Sequence, residues 1–133
     1  MMRQAGRHLA EYLELRKKAK NFLNFCYSPD MAVEATLQPV RRYGMDAAIL
    51  FCDILVIPDA LGQPVSFVTG EGPKLEAISD GEALPEFAED KLHDHLAPVY
   101  EPGSRLSAEL DETVTLIGLA GAPWTLSLIH ITE

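Results

Sequence analysis

An α/β fold is predicted by two continuous apolar runs and by what separates them. Ala47-Ala48-Ile49-Leu50-Phe51 and Val114-Thr115-Leu116-Ile117-Gly118-Leu119 read as strands buried on both faces, as in a parallel sheet. The segments before and between them carry helical spacing, and the crossovers are long enough for parallel pairing.

Taken in order, the chain starts with Met1-Met2, too short for a strand, so it reads as beginning inside an element. From His8 to Lys20 the apolar residues Leu9, Tyr12 and Leu13 recur at three and four, predicting a helix, and Asn21–Tyr27 adds a helical turn. Ser28-Pro29-Asp30 is a helix start, with Ser28 as cap and Pro29 at the first position. That helix runs to about Tyr43, with Pro39 expected to kink it or end its regular part and Gly44 as C-cap. After the first strand, Cys52-Asp53 sets a carboxylate at the strand's end. Ile54–Ile57 is apolar, and Pro58-Asp59 is read as a turn. Val65–Val68 is a short strand closed by Gly70 and Gly72-Pro73. The acidic stretch from Pro85 to Leu110 is predicted to be helical in pieces, interrupted at Pro98 and Pro102-Gly103. Gly121–Thr125 is a turn beyond the last strand.

Composition narrows the classes. The chain has 133 residues, 47% of them hydrophobic, and a net charge of −9. Residues 1–45 hold eight basic and four acidic side chains, whereas the remainder holds three basic and sixteen acidic. An acidic chain without a Lys/Arg-rich face argues against nucleic acid as a partner. The longest apolar stretch, Val114–Trp124, is shorter than the roughly 20 residues a bilayer span needs, which argues against a membrane. Two cysteines exclude a disulfide scaffold and no CxxC pair suggests zinc. The start also lacks a signal-peptide core, so the cytoplasm is the expected compartment. His93-x-His95 reads as solvated, and Cys26 and Cys52 as small buried residues. The polar or glycine-bearing segments Arg3–Arg7, Asp53 and Gly118–Thr125 each follow a strand or the chain start. That is where α/β barrels collect their active sites, although periodicity alone leaves an open doubly wound sheet equally admissible.

Three segments carry a specific resemblance. MRQAGR at Met2–Arg7, TLQPVRRYGMDAAILFCDILVIPDALG at Thr36–Gly62 and LIGLAGAPWTL at Leu116–Leu126 together resemble the uroporphyrinogen decarboxylase family. The resemblance implies an (α/β)8 TIM barrel, of which this chain would supply about the first three strands, with residues 1–126 as its N-terminal part. It further implies a homodimer and decarboxylation of the four acetate arms of uroporphyrinogen III to coproporphyrinogen III, with no metal or organic cofactor. Such a substrate carries eight carboxylates, so fixed cations are required. Arg3 and Arg7 match the family's arginines, and guanidinium forks bind carboxylates bidentately. Gln4, Ala5 and Gly6 would add backbone N–H groups from the same loop. Loss of carbon dioxide needs an electron sink, which a pyrrole protonated on a ring carbon provides. Asp53 matches the essential aspartate, which would accept the pyrrole N–H groups and stabilise the developing cation. Arg16 and Phe22 belong to the same family region as candidate lining residues.

On spacing alone Asp53 could cap a turn, and Arg7 could pair with Glu11 four residues on. Arg41-Arg42 would complement a helix dipole. His8, Ala10 and Cys52 stand where the family motif usually has Tyr, Pro and Ser. Ser127–Glu133 departs from the family, and LSLIHI at Leu126–Ile131 is what a common transposase adapter encodes in one frame, so residues 127–133 are expected to be a non-native tail. With that tail and a barrel's usual length of about 250 residues, the 133-residue piece is expected to be inactive by itself. The alternatives are a corrinoid-dependent methyltransferase of the same superfamily, which needs His/Cys zinc ligands and generally lacks RQAGR, and a non-catalytic truncated domain.

Overall fold

The computed structural model describes residues 6–68, 72–75 and 88–122. Residues 1–5, 69–71, 76–87 and 123–133 lie outside them. With those go Arg3, Gln4, Ala5, Gly70, the start of the acidic stretch at Pro85, most of the expected turn at Gly121–Thr125 and the expected tail. Two compact units are present: Met1–Asp53 with Ala97–Leu119, and Ile54–Leu96 with Ala120–Glu133.

The first unit opens with a 3-10 turn at Gly6–His8, then α1 (Ala10–Lys18), α2 (Phe22–Cys26) and α3 (Pro29–Tyr43). Arg16, Lys17 and Lys18 fill the last turn of α1, where cations favour the helix dipole. Asn21 caps α2: its side-chain oxygen accepts the Asn24 backbone N–H at 2.7 Å. In α3, Ser28 holds the cap position without a side-chain bond, and Pro29 starts the helix. Gly44 ends it in the left-handed region at φ 60, its N–H donating to Val40 O at 2.8 Å.

The helix reaches Tyr43 as expected, and of the two alternatives for Pro39 it does not end there. A helix-interior proline costs about 3 kcal/mol. Here its ring is fully buried and lies against the Gly6 turn, so packing offsets the lost hydrogen bond.

Strand β1 (Ala47–Ile49) follows, and its partner is β4 (Thr115–Ile117). They pair in parallel, with Ala47 opposite Thr115 and Ile49 opposite Ile117, and Leu50 N–H extends the ladder to Ile117 O at 2.9 Å. This is the parallel arrangement that the two apolar runs predict. Val33 and Leu37 of α3 pack with Leu106, Leu50 and Leu116 over one side of it.

In the second unit, α4 (Val56–Ala60) is a short helix where Pro58-Asp59 reads as a turn. Pro58 sits in its first turn, where a missing N–H is one a helix leaves unbonded anyway. β2 (Val65–Val68) pairs antiparallel with β3 (Gly72–Leu75). The Gly72-Pro73 pair therefore lies inside a strand instead of closing one. A two-stranded ribbon has outward-facing edges, so proline's missing donor is tolerated there.

The helix α5 (Glu89–Glu109) corrects a further expectation. It passes continuously through Pro98 and Pro102 instead of breaking into pieces. Four residues apart, the two prolines share one face, so their missing donors fall on one side. Pro102 and, one turn on, Leu106 are fully buried on that face. His93 and His95 are exposed, as expected, and His95 Nε2 lies 3.0 Å from Asp59 Oδ2 within the second unit. Among the described residues no helix is long and apolar enough to cross a membrane.

Candidate functional site

The candidate site is built on an aromatic cluster of the first unit. Phe25, with no exposed surface, has its ring 4.7 Å from Phe51 and 5.6 Å from Tyr12. Phe51 in turn lies 5.9 Å from Tyr12 and 6.2 Å, edge-on, from Phe22. Three segments thus meet at one group of rings: α1 through Tyr12, α2 through Phe22 and Phe25, and the exit of β1 through Phe51.

Cations cover that cluster. The Arg7 guanidinium carbon is 5.4 Å from the Phe22 centroid and 5.8 Å from that of Phe51. Arg16, from α1, approaches Phe22 to 5.6 Å. Such contacts contribute about 0.5–1 kcal/mol each at exposed sites. Glu11, the alternative partner for Arg7, is instead engaged by Arg42 at 2.8 Å, which holds the Glu11 carboxyl below its ordinary range. Arg42 therefore ties α3 to α1, and Arg41 bonds Glu34 at 2.8 Å and Glu109 at 3.1 Å. Both do more than complement a helix dipole.

Asp53 follows two residues after Phe51, beyond the C-terminal end of β1. The Cys52 thiol donates to the Asp53 carbonyl at 3.5 Å. Arg7 and Asp53 are thus attached to the same ring system, one through its side chain and one through the backbone. Cys26 is buried and feels the charges of both. Burial, and next to it the Asp53 charge, push its thiol up from the ordinary 9.0 to about 12, against a weaker opposing pull from Arg7 and Arg16. Burial also raises the Cys52 thiol and the Tyr12 phenol.

These shifts make stability fall at alkaline pH. A thiol that ionises in the unfolded chain near pH 9 but not in the folded one binds its proton more tightly when folded. Its contribution is complete below about pH 9 and is lost progressively as the pH rises towards about 12. Tyr12 acts in the same direction. Urea midpoints measured from pH 8 to 11 should fall, and Cys26→Ala should make that fall shallower. An equally steep decline in the variant would remove Cys26 from the effect.

Space is tight at Gly6. A Cβ there would meet Leu9 Cδ1 and Pro39 Cγ at 3.2 Å each, tighter than ordinary packing, so the Arg7 turn is seated directly on α3. Among the described residues, no group of three or more His, Cys, Asp or Glu side chains is set to hold a metal.

The sequence matches the family model for uroporphyrinogen decarboxylase (URO-D) over residues 1–132. The chain belongs to that family. Relatives named uroporphyrinogen decarboxylase from Hyphomonas neptunium and Chelativorans sp. are 59% and 55% identical over 131 residues, and one from Rhodobacter capsulatus is 53% identical over 132. Each match covers 98% of this chain, which spans 38% of the length of these relatives. Among solved structures, a methyltransferase from Methanosarcina mazei is similar with a TM-score of 0.63 at 16% identity, over 90% of this chain and 37% of that one. At that identity the likeness concerns the fold.

Of the residues the family motif points to, Arg7 and Arg16 lie against the rings, Phe22 is one of them, Gly6 directly precedes Arg7 and Asp53 follows Phe51 by two residues. The sequence reading did not single out Phe25 or Phe51. Their signal is the density of aromatic residues, with Phe22, Phe25 and Phe51 flanking the two cysteines.

Proposed function

We propose that the full-length protein carrying this chain decarboxylates the four acetate arms of uroporphyrinogen III, giving coproporphyrinogen III. The observation that carries this reading is the family match across residues 1–132. In this reading β1 and β4 are neighbouring strands of an (α/β)8 barrel, supported by their parallel register and the methyltransferase likeness. The protein acts in the cytoplasm as a homodimer, without metal or organic cofactor, and the 133-residue piece alone is inactive.

Arg3 and Arg7 bind substrate carboxylates, with Gln4, Ala5 and Gly6 contributing backbone donors. A pyrrole ring carbon is protonated first, giving a cation that Asp53 stabilises by accepting pyrrole N–H bonds. The bond between the acetate methylene and its carboxylate then breaks, its electron pair neutralises the ring cation, and carbon dioxide leaves. Protonation of the resulting exocyclic methylene gives the methyl group, and loss of the ring proton restores the pyrrole. Asp53 acts where charge develops, so its contribution is largest in the transition state.

The test is incubation of the full-length protein with uroporphyrinogen III, followed by chromatography of the oxidised porphyrins. Successive loss of carboxylates down to the tetracarboxylate is expected. Unchanged octacarboxylate would end the reading.

A further inference from the structure

We infer that Thr36, on α3, is a positioning residue for the site, holding Arg7 and Asp53 in mutual register through the Phe51 backbone; this rests on the roles proposed above for those two residues. Thr36 has no exposed surface. Its hydroxyl donates to Ala32 O at 2.8 Å and accepts the Phe51 backbone N–H at 2.9 Å. The hydroxyl is therefore oriented by its own helix, and its lone pair is aimed at the chain leaving β1.

That bond lies at a consequential point. Phe51 is the residue whose ring lies under the Arg7 guanidinium, and the chain continues from it through Cys52 to Asp53. Three residues further along α3, Pro39 abuts Gly6, the first residue of the turn that presents Arg7. Residues three apart on a helix share a face. One face of α3 thus seats both halves of the site: Pro39 by packing against the Arg7 turn, Thr36 by a hydrogen bond to the Asp53 arm. The packing contact is not directional, whereas the hydrogen bond is, so Thr36 sets the register. Without the hydroxyl, Phe51 N–H would lose its partner and the backbone would shift to find another.

The experiment compares Thr36→Val, which keeps shape and removes the hydroxyl, with Thr36→Ser, which keeps the hydroxyl, in the full-length protein. Two readouts are taken: kcat and KM for uroporphyrinogen, and the Nε–H resonance of Arg7 in protein labelled on arginine, which the nearby Phe22 and Phe51 rings displace. Thr36→Val should lower kcat about ten- to 100-fold, with KM changing less, as expected for a misplaced but intact group. It should also move the Arg7 resonance. Thr36→Ser should restore both to near wild type. If Thr36→Val does not fold, Thr36→Ala is measured in the same way. A folded variant with unchanged turnover overturns the inference, whether or not the resonance moves, because Thr36 then serves stability alone. Thr36→Ser impaired as deeply as Thr36→Val overturns it too. A wild type without decarboxylase activity ends the functional reading instead. In that case the Arg7 resonance decides: moved in Val and restored in Ser supports the positioning role, and unmoved in Val overturns it.

Discussion

Asp53→Asn in the full-length protein is expected to lower kcat about 100- to 1000-fold while KM stays within a few-fold. That range is what removal of one preorganised electrostatic partner costs in comparable sites. The substitution keeps size and shape, so the Phe51–Cys52–Asp53 path is undisturbed. In the proposed mechanism it removes the charge that stabilises the pyrrole cation, and it sets an amide donor where two pyrrole donors would arrive. In the same mechanism the arginines and the carboxylates they hold carry most of ground-state binding, so KM should respond little. Single-turnover measurement of heptacarboxylate formation checks this without interference from product release. Turnover equal to that of the wild type would take Asp53 out of the chemistry.

The largest structural effect is expected from Phe25→Ala. Phe25 has no exposed surface and its ring touches those of Phe51 and Tyr12. Truncating a fully buried phenylalanine typically costs about 3–5 kcal/mol, and each lost aromatic pair adds about 0.5–1.5 kcal/mol beyond burial. Denaturant midpoints should fall accordingly, whereas Phe25→Leu should cost much less. The same change removes the ring that braces Phe51, so turnover should drop even at temperatures where the variant is folded. A loss under about 1 kcal/mol would mean that the cluster is not packed as described.

Much of the fold was legible because its signals are local. The β-branched and apolar runs at Ala47 and Thr115 mark strands whatever surrounds them, and Gly44 marks a helix end by its own conformational freedom. The breaks expected at Pro98 and Pro102 were the main error, for a physical reason that Pro39 shares. A proline's local cost is visible in the sequence, but the tertiary burial that offsets it is not. Pro39, Pro98 and Pro102 all lie inside continuous helices. Gly72-Pro73, read as a strand's end, belongs to a strand because a ribbon edge needs no donor there. The site divides in the same way. Arg7 and Asp53 stand in recognisable motifs. Thr36 and Phe51 are ordinary residues whose importance arises from a hydrogen bond across fifteen positions, which no local pattern announces. The pairing of Glu11 with Arg42 instead of Arg7 is also a long-range choice, made across thirty-one positions.

The pairing of β1 with β4 has a consequence for how the chain is made. Ala47 and its partner Thr115 are 68 positions apart. At a synthesis rate of about 5–20 residues per second, β1 leaves the ribosome roughly 3–14 seconds before its neighbour exists. In that interval the Thr36–Phe51 bond and the rings of Tyr12, Phe22 and Phe25 need only residues already made. The nascent chain can therefore assemble the cationic half of the site around β1 first and receive β4 onto a strand already fixed in place. Synonymous codons that slow translation between Ile54 and Val114 would lengthen that interval without disturbing what has formed.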